Sequence, residues 1–259
     1  MANHTVTPNQ SPPPIGLSVN SARLAWHEQV LFDGLELELE AGRWTCLLGP
    51  SGVGKSMLLR LILGLNGDKG NSQTISCSDD LPLSGRVAFM AQHDCLFPWL
   101  SVLENVLVGR RIRNEKPVDS TSRDKALHLL DATGLVDVAN AMPATLSGGM
   151  RQRAALARTL MEDRPIVLMD EPFSALDAIT KIKLQGLAAD LLNNRTVLLV
   201  THDPLEALRL GHCIHVMKGR PAVLGDGLEP KGLPPRSVDD HDVLELQGEL
   251  LKQLAQAAQ

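Results

Sequence analysis

Three observations predict an α/β fold built on a mostly parallel sheet. A compact apolar run, Trp44 to Leu48, ends in the string Gly49-Pro-Ser-Gly-Val-Gly-Lys-Ser56, and a helical pattern follows at once. Two more continuously apolar runs, Ile166 to Met169 and Thr196 to Val200, read as strands buried on both faces, as parallel strands are. Between them Ala178 to Leu192 is amphipathic at helical spacing. Strand, helix and strand therefore form a right-handed crossover unit.

The remaining elements follow in chain order. Met1 to Gly16 is polar and proline-rich, lacks the apolar core of a signal peptide, and is expected to be a disordered arm. Leu17 to Val19 and Glu36 to Leu39 alternate apolar with polar residues, the pattern of half-buried strands. Gly42 interrupts that pattern before the Trp44 run. Met57 to Leu65 carries apolar residues on nearly every face and reads as a buried helix. Gly64 to Ser84 is polar and glycine-rich, a variable connection or small hairpin, and Val87 to Met90 is a short strand. From Phe97 to about Met161 helical spacing dominates, as at Ala126, Leu127, Leu129, Leu130 and Ala154 to Leu160. This stretch is expected to be a helical subdomain, residues 93–162, inserted between core strands. Gly225 to Arg236 has a linker's glycines and prolines. Val243, Leu244, Leu246, Leu250, Leu251 and Leu254 then mark a short amphipathic helix. The expected division is an arm (1–16), a nucleotide-binding domain (17–228) and a linker with a C-terminal helix (229–259). No internal repeat is visible.

Composition narrows the function. At 259 residues with 44% hydrophobic content, the chain fits one large domain, or one domain with a subdomain. A net charge of −5, 3% aromatics and no tyrosine argue against a nucleic-acid partner. Cys46, Cys77, Cys95 and Cys213 form no CxxC pair and have no zinc-spaced histidines, so they read as plain reduced thiols. No run approaches the ~18 apolar residues of a membrane span. A soluble, cytoplasmic chain is expected, with any membrane role carried by partner subunits.

The glycine string satisfies the phosphate-loop spacing in its required context, after a strand and opening a helix. Its glycines let backbone N–H groups turn toward anionic oxygens, and the helix start adds its positive end. Lys55 is then expected to reach the β- and γ-phosphates, and the Ser56 hydroxyl to hold Mg²⁺. Asp170, ending an apolar strand, stands where a second metal carboxylate belongs. Glu171 is suited to polarise an attacking water, a role typically worth ~10²–10⁴-fold in rate. His202, just past the Thr196 run, is placed to contact the γ-phosphate. Ser147-Gly-Gly149 precedes the helical stretch from Met150 and makes a second anion site at a helix start. One loop already cradles the nucleotide, so this second site is most useful facing across a dimer interface.

Together these residues resemble the ATP-binding cassette (ABC) family of transport ATPases, over about Leu17 to Gly227. Leu146 to Gln152 resembles the family signature, Gly49 to Ser56 its Walker A, and Ile166 to Asp170 its Walker B. The resemblance implies a P-loop NTPase (RecA-like) fold: a mostly parallel sheet core with N-terminal antiparallel strands and an inserted α-helical subdomain. It makes Glu171 the catalytic glutamate, His202 the switch histidine, Ser174 to Asp177 the D-loop, and Gln92 the glutamine joining Mg²⁺ to the helical subdomain. ATP would be held by Gly49, Pro50, Ser51, Gly52, Val53, Gly54, Lys55, Ser56 and Met57 of one subunit, and by Ser147, Gly148 and Gly149 of the other. Trp26 matches the aromatic that stacks on adenine, where many relatives carry tyrosine. Met57 stands where the family usually has threonine.

The family implies a head-to-tail dimer, membrane permease subunits, a periplasmic solute-binding protein, and a peripheral site on the cytoplasmic face of the inner membrane. Leu96-Phe-Pro-Trp-Leu100 resembles a segment of importers for nitrate, taurine, alkanesulfonates and thiamine pyrimidine precursors. Exposed Phe97 and Trp99 would suit a socket for a permease helix, or they are subdomain core. The rival readings are a non-transport cassette ATPase of DNA repair or chromosome maintenance, and a P-loop kinase. The first would bring long coiled coils or a second cassette, and the second leaves the signature string without a role.

Overall fold

A computed structural model of the chain describes residues 13–26, 29–65, 74–113 and 119–257. Strands β1 (Leu17–Trp26) and β2 (Gln29–Leu39) form an antiparallel ribbon, with Leu17 opposite Leu39. β3 (Trp44–Leu48) runs into the glycine loop, and α1 (Lys55–Ile62) leaves it. The helix thus opens at Lys55, two residues before the apolar pattern suggested. The loop glycines leave its first N–H groups without a side-chain cap. β4 (Ile75–Cys77) pairs antiparallel with β1, completing a three-stranded sheet in the order β2-β1-β4. The glycine-rich connection therefore returns a strand to the N-terminal ribbon; its residues 66–73 lie outside the described residues.

β5 (Val87–Met90) enters the main sheet. Then come α2 (Val102–Ile112), α3 (Ser120–Ala132) and α4 (Gly148–Met161), which pack on one another. β6 (Ile166–Asp170), α5 (Ala178–Leu191), β7 (Thr196–Val200), α6 (Pro204–Leu210), β8 (Cys213–Lys218), β9 (Val223–Leu224) and α7 (His241–Ala257) complete the chain. The main sheet has the order β5-β6-β7-β3-β8-β9, parallel from β5 to β8 with β9 antiparallel at its edge.

The apolar runs are continuous because this sheet is covered on both faces. Along β6 and β7, Ile166, Leu168, Leu198 and Val200 pack with the ribbon and α1. Their neighbours Val167, Met169, Val197 and Leu199 pack with helices α4 to α7 on the other face. Val243 and Leu250 bury α7 against this second layer.

One boundary from the sequence needs correction. Ile15 and Gly16, placed in the disordered arm, belong to the fold. The Ile15 carbonyl accepts from Thr196 Oγ1 at 2.7 Å, and the Gly16 amide donates to Ser78 Oγ at 2.9 Å. A single buried isoleucine after four prolines is too short a pattern to register as an element. The rest of the arm, residues 1–12, lies outside the described residues. The linker-like stretch is irregular, yet it is fastened at its end by the buried Arg236.

Candidate active site

β3, β5, β6 and β7 are parallel neighbours, so their C-terminal ends share one edge of the sheet, the edge at which open α/β sheets bind ligands. There the chain places Gly49, Gln92, Asp170, Glu171 and His202.

The loop after β3 is built on close approach. Gly49 has φ 152°, and a Cβ there would lie 2.5 Å from the Met217 carbonyl on β8. Gly54, at φ 117°, sits where a Cβ would meet the buried Phe32 ring at 2.9 Å. Pro50 to Val53 form the turn between them. Lys55 is buried, and its Nζ donates to the Gly49 carbonyl at 2.7 Å and the Pro50 carbonyl at 3.0 Å. Burial pushes the ammonium below its usual range, against the pull of Glu171 and Asp170. Met57, the third residue of α1, is partly buried and packs against the core on that side of the sheet.

Asp170 ends β6 as a buried carboxylate, which burial pushes up while a hydrogen bond with Ser56 holds it down. Glu171 follows in a left-handed conformation, φ 49°, with its amide donating to the Val200 carbonyl at 2.8 Å. That bend brings Glu171 Oε2 within 3.2 Å of His202 Nδ1 and 3.4 Å of Gln92 Nε2. Two residues from two other turns thus meet on the Glu171 carboxylate. The Ser56 hydroxyl and the Asp170 carboxylate, hydrogen-bonded to one another, are hard oxygen donors of the kind that would suit Mg²⁺.

Ser147 caps α4, its hydroxyl accepting from the Met150 amide at 3.2 Å, with Gly148 and Gly149 at the helix start. Ser147 and Gly148 are exposed. Gly149 lies so near the turn after Glu171 that a Cβ would come within 3.3 Å of the Ala175 carbonyl. Trp26 ends β1 with 53% of its surface exposed. Trp99 is 68% exposed, and its ring leans on half-buried Phe97 at a centroid distance of 5.4 Å.

Two residues of this region escaped the sequence reading. Gln152 joins α4 to the turn after β6. Its amide donates to the Glu171 carbonyl at 3.1 Å and Ser174 Oγ at 3.3 Å, and its Oε1 accepts from the Ala175 amide at 2.8 Å. Arg158 donates to the carbonyls of Cys95 and Asp94 at 2.7 and 2.6 Å, and Arg151 pairs with Asp94 at 3.0 Å. The segment after Gln92 is thereby clamped to the helix that carries Ser147. Gln152 lay inside the signature string and was readable as polar within a helical run. Arg158 had no local signal, because its acceptors are backbone groups 63 and 64 positions earlier.

A family model described as ABC transporter matches residues 32–174. The chain belongs to the ABC transporter family. As a member it binds ATP and hydrolyses it. It is similar to an ABC transporter ATP-binding protein of Haemophilus influenzae, 41% identical over 91% of this chain and 97% of the relative. It is also similar to an aliphatic sulfonates import ATP-binding protein of Pseudomonas syringae pv. syringae, 40% identical over 90% and 93% of the two chains. A dimeric ATP-binding cassette solved in a post-hydrolysis state with ADP and phosphate superposes with a TM-score of 0.71 at 28% identity, covering 85% of this chain and all of that one. The fold is that of an ABC ATPase cassette.

Proposed function

We propose that this ABC ATPase drives uptake of a small organic anion of the aliphatic sulfonate class. It would work as a head-to-tail dimer on the cytoplasmic face of the membrane, beneath permease subunits fed by a periplasmic solute-binding protein. The convergence of Gln92 and His202 on Glu171, beside Lys55 and Asp170, is the observation that carries the catalytic part of this reading. The solute class rests on the relatives that import aliphatic sulfonates.

Each step follows from the chemistry of a named group. The triphosphate displaces the Gly49 and Pro50 carbonyls as the partner of Lys55 Nζ. The N–H groups of the Gly49–Ser56 loop, uncapped by any side chain, receive its oxygens. Ser56, Asp170 and Gln92 would hold Mg²⁺, which when bound neutralises charge on the transferring phosphoryl group. Glu171 takes the proton of the attacking water at Oε2 as the bond between the β- and γ-phosphates breaks, releasing ADP and phosphate. His202 holds the orientation of that carboxylate from Nδ1. Trp26 offers its exposed ring to adenine. Exposed Ser147 and Gly148, with Gly149, are free to clamp the nucleotide of a partner subunit. Trp99 and Phe97 offer an apolar patch to the permease.

Glu171→Gln keeps the side chain's size and its contacts but removes the base. Turnover is expected to fall by about 10²–10⁴-fold, and a dimer loaded with ATP should accumulate on size-exclusion chromatography with Mg-ATP. Undiminished turnover, or a persistent monomer, overturns the reading.

A further inference from the structure

Helix α5 begins directly after the turn that Gln152 grips, and α6 begins directly after His202. The two starts are joined by a cluster of charges. Lys181 stands one turn into α5, its amide donating to the Asp177 carbonyl at 2.8 Å. Its Nζ lies 2.6 Å from Asp203 Oδ2 and 2.9 Å from Glu206 Oε2. Asp203 divides its two oxygens. Oδ1 caps α6, accepting from the amides of Leu205 and Glu206 at 2.9 and 3.4 Å, and Oδ2 faces Lys181. The Asp203 amide donates to Thr201 Oγ1 at 3.1 Å, so the turn holding His202 is fixed from both ends.

Glu206 is the unusual member. Its side chain is 2% exposed, and Oε1 has no hydrogen-bond partner among the described residues. Gln185, also on α5, donates to Oε2 at 3.3 Å and accepts from buried Arg209. A buried carboxylate with one oxygen unsatisfied is costly. One carboxylate would already neutralise Lys181, and the half-exposed Asp203 supplies it. Glu206 is a second, buried acceptor, so the ammonium is tied at once to Asp203, next to His202, and to the first turn of α6.

We infer that Lys181 is a positioning residue for His202, tying the start of α5 to the turn that presents the imidazole to Glu171. It rests on the function proposed above, in which His202 orients Glu171. The route is continuous. Gln152 holds Ser174 and Ala175, the same turn leads through Asp177 into Lys181, Lys181 holds Asp203, and His202 reaches Glu171. Movement of α4 against the turn after β6 is thereby converted into movement of His202.

The test measures Mg-ATP hydrolysis by the full chain. Lys181→Met is expected to lower kcat by about 10- to 100-fold, the scale of a small misplacement of a catalytic group, with the KM for ATP within about two-fold of the parent. In a His202→Ala background the same substitution should cost less than about two-fold, because the two residues act as one unit. Lys181→Arg, which offers two donors to the two carboxylates, should restore kcat to within about three-fold. Asp203→Asn keeps the α6 cap and leaves Lys181 paired with Glu206, so it tests the link without unfolding the cluster. It should show the same kcat-only loss. Equal losses with and without His202, or a KM that rises as kcat falls, overturn the inference while leaving the ATPase assignment intact. Absence of hydrolysis in the parent chain overturns both.

Discussion

Glu171 illustrates how single residues are set by their backbone as much as by their side chains. A non-glycine residue at φ 49° carries strain of order 1–3 kcal/mol, held here by the bond from its amide to Val200. Straightening that residue would swing the carboxylate away from His202 and Gln92. Asp163 has φ 52° and serves stability instead. It joins Lys125 of α3 to the buried Arg195 before β7, at 2.8 and 2.6 Å. Burial pushes its carboxyl up, but the two cations overcome this and hold it below the usual carboxylate range. A group with a depressed folded-state pKa stabilises the fold above its unfolded value, about 3.9, and loses that contribution as pH falls through the folded value. Asp163→Asn, which tolerates the left-handed backbone, should therefore melt below the parent at pH 7. The gap should narrow as pH drops below about 4. A gap that stays constant through this range would show that the ionised carboxylate contributes nothing.

At the scale of elements, the sheet was legible and its fastenings were not. β3, β6 and β7 were readable because a strand covered on both faces must be apolar throughout, and the phosphate loop because its chemistry requires glycine at fixed spacing. The helical layer was readable only as a period. Its contacts with the loop after β5 run through polar side chains bonded to backbone groups, which a hydrophobic period does not report. Asn105 of α2 is the clearest case. It is fully buried, accepts from the Phe97 amide at 2.7 Å, and donates to the carbonyls of Phe97, Leu100 and Ser101 at 3.0–3.1 Å. It fixes the Phe97–Leu100 loop over the capping box of Ser101 and Glu104, and so sets where Trp99 emerges. Asn105→Leu leaves the Phe97 amide and the Leu100 carbonyl without that partner, at about 1–3 kcal/mol each, while the Phe97 and Ser101 carbonyls keep the Leu100 and Asn105 amides. We expect a lower melting temperature and faster amide hydrogen exchange at Phe97 to Ser101, with β6 and β7 unchanged. Unaltered exchange in the loop would mean that Phe97 and Leu96 packing holds it without Asn105.

At the scale of the whole molecule, the segment after β9 lies against the helical face of the main sheet, bridged to β8 at Leu228 and fastened further on by Arg236. The guanidinium of Arg236 donates to the carbonyls of Leu208 and Gly211 at the end of α6, and of Pro230, Lys231 and Gly232 in its own loop, at 2.6–2.9 Å. Arg209 closes the clasp by donating to the Arg236 carbonyl at 3.0 Å, while the Arg236 amide donates to Arg209 at 2.9 Å. Glycines and prolines in the sequence indicated a linker because they report backbone irregularity and carry no information about docking. The clasp places α7 over α6, where Val243 and Leu250 are buried. Arg236→Met removes five donor contacts, those to Leu208, Gly211 and Pro230 being buried, but keeps an apolar stem, a change expected to cost about 1–3 kcal/mol for each buried carbonyl left without a donor. Amide exchange should rise first in 230–257 and least in β3, β6 and β7, because the detached segment is peripheral to the sheet. Leu233, in the same loop but 84% exposed, provides the control: Leu233→Ala should stay within about 0.5 kcal/mol of the parent. If Arg236→Met leaves exchange in α7 untouched, Val243 and Leu250 alone anchor the helix and the guanidinium is only a loop brace.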